Sequence, residues 1–401
     1  MTIEQLLQPQ LQQFIHEHAH DDERELVLKY REIEGVPSAR VAEQIAGRRK
    51  AKDKLPSFYS TPNILYPPGI NLEQSSSEQT GAYKVKIIKN ELVPSGVVVD
   101  LTGGFGVDSF FLSKYFEQVQ YIEPAADLLA VVKHNHKMLR AENILHHHAT
   151  AEVYLQQLKR ADLVYIDPSR RSNGQKVFRL SDCLPDVVAL HDLILTKADT
   201  MLVKTSPLLD IQQGIKELKT VKKVFIVSVS NECKELLFLC THNVTNDPEI
   251  IAVNLLSTRT EEFSFTIAEE QSASANYNPP LEYLYEPNAS LLKAGAFKII
   301  ADRYNIFKIH PSTHLYTSAE MIADFPGRVF KIQSFVKGDK KEMTRHFPEG
   351  KANVTTRNYP LSPEELKKKT GLKDGGDKFL IGFSGKSEKF LVAAERIIHE
   401  T

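Results

Sequence analysis

The chain has 401 residues, with 50 Lys and Arg against 51 Asp and Glu, a formal net charge of −1, a 42% hydrophobic fraction and 3 cysteines. These values fit a globular enzyme of roughly two to four domains, and they exclude a disulfide framework, a cysteine zinc cluster and binding of nucleic acid through overall charge. No apolar run is long enough to span a bilayer and no signal peptide is evident, which points to the cytoplasm.

Residues 1–71 read as an N-terminal helical segment and linker. Leu6, Leu7, Leu11 and Phe14-Ile15 recur at helical spacing, as do Leu26, Val27, Leu28, Tyr30 and Ile33. A basic run follows: Arg40, Arg48, Arg49, Lys50, Lys52 and Lys54 outnumber Glu43 and Asp53. Pro56, Pro62, Pro67 and Pro68 make 55–71 an irregular linker that wraps a surface. Over 72–266, strands alternate with helical segments, which predicts βαβ units and a mostly parallel sheet. A helix opens at Ser76-Ser77-Glu78, and strands are expected at 97–100, 119–123, 144–148, 163–167, 200–204, 223–230 and 250–255, with a helix over 235–240 covering Cys233. A polar stretch near 268–279 marks a boundary. A small α/β unit is expected over 280–324 and a final one over 325–401, where 16 Lys and Arg face 10 Asp and Glu.

The most informative string is Val97-Val98-Val99-Asp100-Leu101-Thr102-Gly103-Gly104-Phe105-Gly106-Val107-Asp108. A β-branched strand ends in an acid, and a glycine-rich turn leads into a helix. Gly103, Gly104 and Gly106 let the backbone approach a ligand. Asp100 can accept from an amino-acid ammonium, directly or through water, and Thr102 and Asp108 belong to the same cofactor-binding turn. Glu123 stands 23 residues after Asp100, at the end of the next strand, where a carboxylate takes both hydroxyls of a ribose. The spacing departs from the dinucleotide fingerprint and suits a turn with no pyrophosphate to hold. This disfavours a nicotinamide oxidoreductase and favours S-adenosylmethionine. After the third strand, Thr150 takes the adenine position with a hydroxyl, where many methyltransferases carry an acid.

His146-His147-His148 is not expected to bind metal, because adjacent strand residues point to opposite faces and no Cys or Asp cluster is near. Asp167-Pro168-Ser169-Arg170-Arg171 closes the fourth strand. Asp167 and the carbonyls near Pro168 are the candidate catalytic groups, orienting an acceptor and taking its proton. Arg170 and Arg171 are candidates for holding a substrate phosphate or carboxylate. Lys204 and Ser206 are further candidates for substrate contact; the alternative is a turn in which Ser206 caps a helix starting at Pro207. Cys233 lies off its strand tip and is not the expected nucleophile.

The glycine turn, the Asp167–Arg171 string, Lys204 to Asp210, and Tyr285-Glu286-Pro287-Asn288-Ala289 resemble the bacterial class I S-adenosylmethionine-dependent methyltransferases with a C-terminal THUMP-like domain. Ser76-Ser77-Glu78 with Tyr83-Lys84 resembles the segment that family carries before its first strand. The resemblance covers the chain from about residue 40 onward. It implies an α/β fold: a Rossmann-like seven-stranded methyltransferase sheet, preceded by the helical segment and followed by α+β ferredoxin-like and THUMP-like units. It also implies S-adenosylmethionine as cofactor. THUMP domains belong to RNA-modifying enzymes, so RNA is the implied partner. A protein or small-molecule acceptor, and a catalytically silent RNA-binding module, are the competing readings.

Overall fold

The computed structural model describes residues 3–67, 69–92, 96–170, 179–243 and 245–398. The chain divides into two compact units, Met1–Lys222 with Leu236–Thr245, and Lys223–Glu235 with Asn246–Thr401.

In the first unit, helices α1 (Pro9–Glu17), α2 (Glu23–Lys29) and α3 (Ser38–Lys54) bury Leu11, Ile15, Leu26, Val41 and Ile45 in one cluster. The basic run lies on α3 and is largely spent inside the unit. Arg40 pairs with Glu43 at 2.8 Å, Arg49 with Glu23, and Lys50 with Glu73. Lys54 donates to the carbonyls of Leu72 and Glu73. Two buried side-chain amides hold the proline-rich stretch as a neighbouring strand would. Gln44 exchanges bonds of 2.7 and 2.8 Å with the backbone of Tyr66, and Asn135 exchanges bonds of 2.8 and 2.9 Å with that of Leu65. The stretch also holds a short helix, Pro56–Ser60, with proline at its first turn, where the missing N–H has no helical partner to lose.

Helix α4 (Glu78–Glu91) starts at a Ser77–Thr80 capping box. The strands β1 (Val97–Asp100), β2 (Gln118–Ile122), β3 (Ile144–His147), β4 (Ala161–Ile166) and β5 (Ala198–Thr205) alternate with α5 (Val107–Ser113), α6 (Ala126–Met138), α7 (Ala151–Gln157) and α8 (Val187–Lys197). Helix α9 (Ile211–Leu218), β6 (Val221–Val229) and β7 (Glu232–Thr241) follow. The five strands are parallel in the order β3-β2-β1-β4-β5, and β7 runs antiparallel to β5 over Leu236–Thr241. Val98, Val99, Leu163 and Val164 are fully buried, as a parallel sheet covered on both faces requires. The helix expected over 235–240 is instead strand β7. Leu236, Leu237, Phe238 and Leu239 form a continuous apolar run, which suits a strand buried on both sides better than an amphipathic helix. Burial pushes the Cys233 thiol on this strand up to about 11.

In the second unit, β6 pairs in parallel with β8 (Glu249–Leu255), and β9 (Thr260–Thr266) lies antiparallel to β8. There follow β10 (Tyr283–Pro287), α10 (Ala289–Ala294), β11 (Phe307–His310), β12 (Thr313–Ser318), β13 (Gly327–Phe335), β14 (Asn353–Arg357), α11 (Pro363–Thr370), β15 (Lys378–Ser384) and β16 (Lys389–Ile397). The stretches read as separate units over 280–324 and 325–401 share one sheet, ordered β11-β12-β10-β13-β16-β15-β14. They join where β10 pairs with β13, from Tyr283 opposite Lys331 to Pro287 opposite Gly327. Leu284, Phe330, Ile381, Phe383 and Val392 form its core. The architecture is the α/β one the sequence implies. Among the described residues no helix is long and apolar enough to cross a membrane.

Candidate active site

Strand β1 ends in Asp100, and Glu123 and Asp167 directly follow β2 and β4. Asp100 lies level with Tyr121 and Tyr165 in the sheet register, so the three acids fall within two residues of one level. Carboxyl ends of parallel strands are where such sheets bind ligands.

The three glycines of the turn do different work. A side chain on Gly103 would collide with the Tyr121 ring. Gly106 sits at φ +76°, and a Cβ there would lie 2.6 Å from Val132 and from the His136 imidazole. Gly104, at φ +52°, is the one of the three that faces open space, the nearest atom to its missing Cβ being the Thr102 carbonyl oxygen at 3.7 Å. Two of the glycines therefore admit packing from beneath, and the third presents bare backbone outward.

Glu123 braces this turn. Its Oε2 accepts the Gly104 N–H at 3.1 Å and its Oε1 the Ala125 N–H at 2.8 Å. Burial raises its carboxyl above the ordinary range, against the pull of those two N–H groups. The Tyr121 hydroxyl donates to the Gly104 carbonyl at 2.6 Å. Under the turn, His136 Nε2 lies 2.9 Å from the Gly106 carbonyl, and His136 Nδ1 lies 2.9 Å from His146 Nε2. Burial drives these imidazoles down to about 3 and about 4, so both are neutral near pH 7. The hydrogen-bond pattern then requires His136 Nε2–H to donate to Gly106 and His146 Nε2–H to donate to His136. His147 and His148 bond Gln120 and the Pro124 carbonyl. Among the described residues no group of three His, Cys, Asp or Glu could hold a metal ion.

Asp100 is turned into the fold. Its Oδ1 accepts the Thr102 N–H at 3.1 Å and its Oδ2 the Ser109 hydroxyl at 2.6 Å. Burial pushes it up to about 7 even though the Ser109 bond pulls the other way. Asp108 is also enclosed. Burial would raise it most, yet Lys84 and Lys204 together bring it below the ordinary range. Its Oδ2 accepts from the Ser76 hydroxyl at 2.7 Å and the Tyr165 hydroxyl at 2.8 Å, while its Oδ1 forms an ion pair with Lys84 Nζ at 3.2 Å. Lys84 is 2% exposed and also donates to Ser76. The sequence did give a signal for Lys84: it lies three residues after Gly81 and four before Ile88 on the buried stripe of α4, where a lysine has no ordinary reason to be. Ser109, Tyr121, His136 and Tyr165 carried no such mark.

The other expected residues are distributed as follows. The Asp167 N–H donates to Thr102 Oγ1 at 2.7 Å, so Thr102 ties the end of β4 to the turn. The Asp167 carboxylate is ion-paired with Lys204, at the end of β5, and Pro168 is buried. Ser206 does not cap a helix. It accepts from the Leu208 N–H at 3.3 Å within a turn, and α9 starts later, where Asp210 accepts the Gln213 N–H at 2.8 Å. The competition between two possible caps is settled by the amphipathic run Ile211–Leu218, which begins after Asp210. Thr150 is exposed and caps α7, its hydroxyl 3.4 Å from the Val153 N–H. Arg171 and the Arg170 side chain lie outside the described residues.

Residues 283–326 match the family model for a ferredoxin-like domain, and residues 327–396 that for a THUMP domain-like region. The crystal structure of a proposed methyltransferase from Porphyromonas gingivalis W83 is similar along almost the whole length, at TM-score 0.85 and 32% identity, covering 97% of this chain and 98% of that one. Two curated proteins of Mycobacterium tuberculosis, from strains CDC 1551 / Oshkosh and ATCC 25618 / H37Rv, are each 20% identical over 327 residues, which is 81% of this chain and 87% of theirs. Both are described as uncharacterized S-adenosylmethionine-dependent methyltransferases. A parallel sheet in this order, with acid-tipped strands around a glycine turn, defines a class I methyltransferase. Within that class, the chain belongs to the bacterial S-adenosylmethionine-dependent methyltransferase family that carries a ferredoxin-like segment and a THUMP-like domain at its C-terminus.

Proposed function

We propose that this S-adenosylmethionine-dependent methyltransferase acts on RNA, with residues 72–266 forming the transferase domain and the chain from 280 onward contacting the substrate. The observation that carries the cofactor assignment is Glu123, whose carboxylate accepts the N–H of the outward-facing Gly104 and that of Ala125 at the start of α6. Each carboxylate oxygen keeps a second acceptor position, so the group can take ribose hydroxyls without releasing the turn. Asp100 holds Thr102 and the start of α5 in place and would reach the donor's ammonium through water, since both its oxygens already have internal partners.

When bound, S-adenosylmethionine supplies a methyl group on a sulfonium leaving group. The protein's part is alignment and exclusion of water. Lys204 fixes the Asp167 carboxylate by its ion pair, and Thr102 fixes the Asp167 backbone. Asp167 then orients an acceptor N–H or O–H and receives its proton as the acceptor atom bonds carbon. Carbonyls near Pro168 would hold a second N–H of an amine. Arg170 and Arg171, which follow Ser169 along the chain, are assigned to an adjoining phosphate, and Ser206 to the rim of the same crevice.

The RNA assignment is supported by the THUMP domain-like match and by the local excess of Lys and Arg after residue 325. Incubating the protein with methyl-labelled cofactor and total cellular RNA should place label in RNA. Label entering protein or a small-molecule fraction, with none in RNA, would assign the other acceptor class.

A further inference from the structure

The Tyr285–Ala289 string organises one end of the second unit's sheet. Glu286, 7% exposed in its side chain, has both oxygens engaged: Oε2 by Arg328, and Oε1 by Arg357, whose Nε donates at 2.6 Å. Asn288 donates at 3.0 Å to Glu261 Oε2, which also accepts from Asn254 at 3.0 Å, and Arg259 takes Glu261 Oε1 at 2.9 Å. Every oxygen of both carboxylates thus has a partner within the unit. Arg396 completes the group. It faces Phe330 across β13 and β16, diagonal to Arg328 on the same side of the sheet. Among the described residues its guanidinium has no hydrogen bond or ion pair, and Arg328 Nε is buried with no acceptor.

Four guanidiniums therefore surround two carboxylates whose oxygens are all taken. Partial burial, together with the nearby Arg328 and Arg259 cations, lowers Arg396 below its ordinary value, although Glu261 and Glu286 pull the other way. The remaining donors form the planar forks that bind tetrahedral oxyanions bidentately.

We propose that Arg396 and Arg328, held by the Glu286–Arg357 pair, form a site for a phosphate group of the RNA substrate. This rests on the RNA reading above and adds to it the place where the backbone is gripped. The phosphate could be a 5′-terminal monoester or an internal diester, and the two differ in charge.

The test is fluorescence anisotropy of full-length protein with labelled oligoribonucleotides carrying either a 5′-phosphate or a 5′-hydroxyl, across a salt series. Arg396→Ala should weaken binding about tenfold and reduce the salt slope by about 1, and Arg396→Glu should weaken it further. Because Arg396 is exposed, the melting temperature and the calorimetric affinity for S-adenosylhomocysteine should stay at wild-type values. A loss confined to the 5′-phosphorylated probe assigns the terminal monoester, and an equal loss on both probes assigns the diester. Wild-type affinity and slope in both variants would overturn the site while leaving the RNA reading standing. If the wild-type protein binds no RNA, titration with inorganic phosphate decides. Binding lost in Arg396→Ala keeps the site and removes the RNA reading, and no phosphate binding overturns the site.

Discussion

The two units handle charge in opposite ways. Around the glycine turn of the first unit, Asp100, Asp108 and Lys84 are enclosed, and internal groups meet them: Ser109, Ser76, Tyr165 and the Thr102 N–H. At the sheet end of the second unit, Arg396 is exposed, Arg357 is half-buried, and guanidiniums outnumber carboxylates. An enclosed, internally satisfied network fixes geometry and leaves little net charge for a ligand to neutralise. An open surplus of one sign needs a counter-charge from outside. The first arrangement suits a zwitterionic cofactor held in one pose, and the second suits a polyanion.

The sharpest way to break this contrast is to open the enclosed network. Lys84→Met takes from the enclosed Asp108 its ion-pair partner, leaving the neutral donors and the field of Lys204, and should cost about 3–5 kcal/mol of stability, since removing one partner of a buried pair strands the other. Urea unfolding measures it, and a loss under about 1 kcal/mol would mean the pair behaves like a surface bridge.

Acidity gives the next test. Asp100 is raised from 3.8 to about 7 by burial, so the folded protein holds a proton there that the unfolded chain has released. Its contribution is complete below pH 4 and is lost as pH rises towards 7, at up to about 1.4 kcal/mol per pH unit. The buried His136 and His146 act in the opposite sense below pH 6.5, because the unfolded chain takes up protons that the folded one excludes. Asp100→Asn should therefore remove the falling branch and leave stability rising with pH over that window. A pH profile parallel to the wild type would contradict the assignment.

A milder change should touch binding more than folding. Glu123→Ala should weaken S-adenosylhomocysteine binding by roughly tenfold or more, the loss of about one charge-assisted hydrogen bond, while RNA affinity holds. Equal losses in both would indicate a collapsed turn. The smallest effect belongs to Thr150→Ala, which removes an exposed helix cap worth about 1 kcal/mol. Unchanged cofactor affinity is expected if Thr150 only caps α7, and a clear loss would reveal contact with the adenine.

The strands around Asp100 were legible because β-branched runs closed by acids and glycines leave few alternatives. Strand β7 was misread as a helix because a short buried apolar run has no period to distinguish the two. The basic run on α3 stood out as a local excess of charge, and the acids that meet it, Glu23 and Glu73, are too distant in sequence for the pairing to be foreseen. Of the candidate site, Glu123 and Asp167 stood out as strand-end acids, while the groups that hold the turn arrive from other elements: Lys84 from α4, His136 from α6 and Tyr165 from β4.

Local chemistry thus determined that this chain makes a parallel sheet with a bare turn between two acids, since strand runs, glycines and strand-end carboxylates act over a few neighbouring residues. Tertiary structure decided which glycine faces outward, which charges are spent on one another and which guanidiniums remain without an anion. Those outcomes depend on desolvation and on partners brought together from distant parts of the sequence, and neither can be read until the chain has folded.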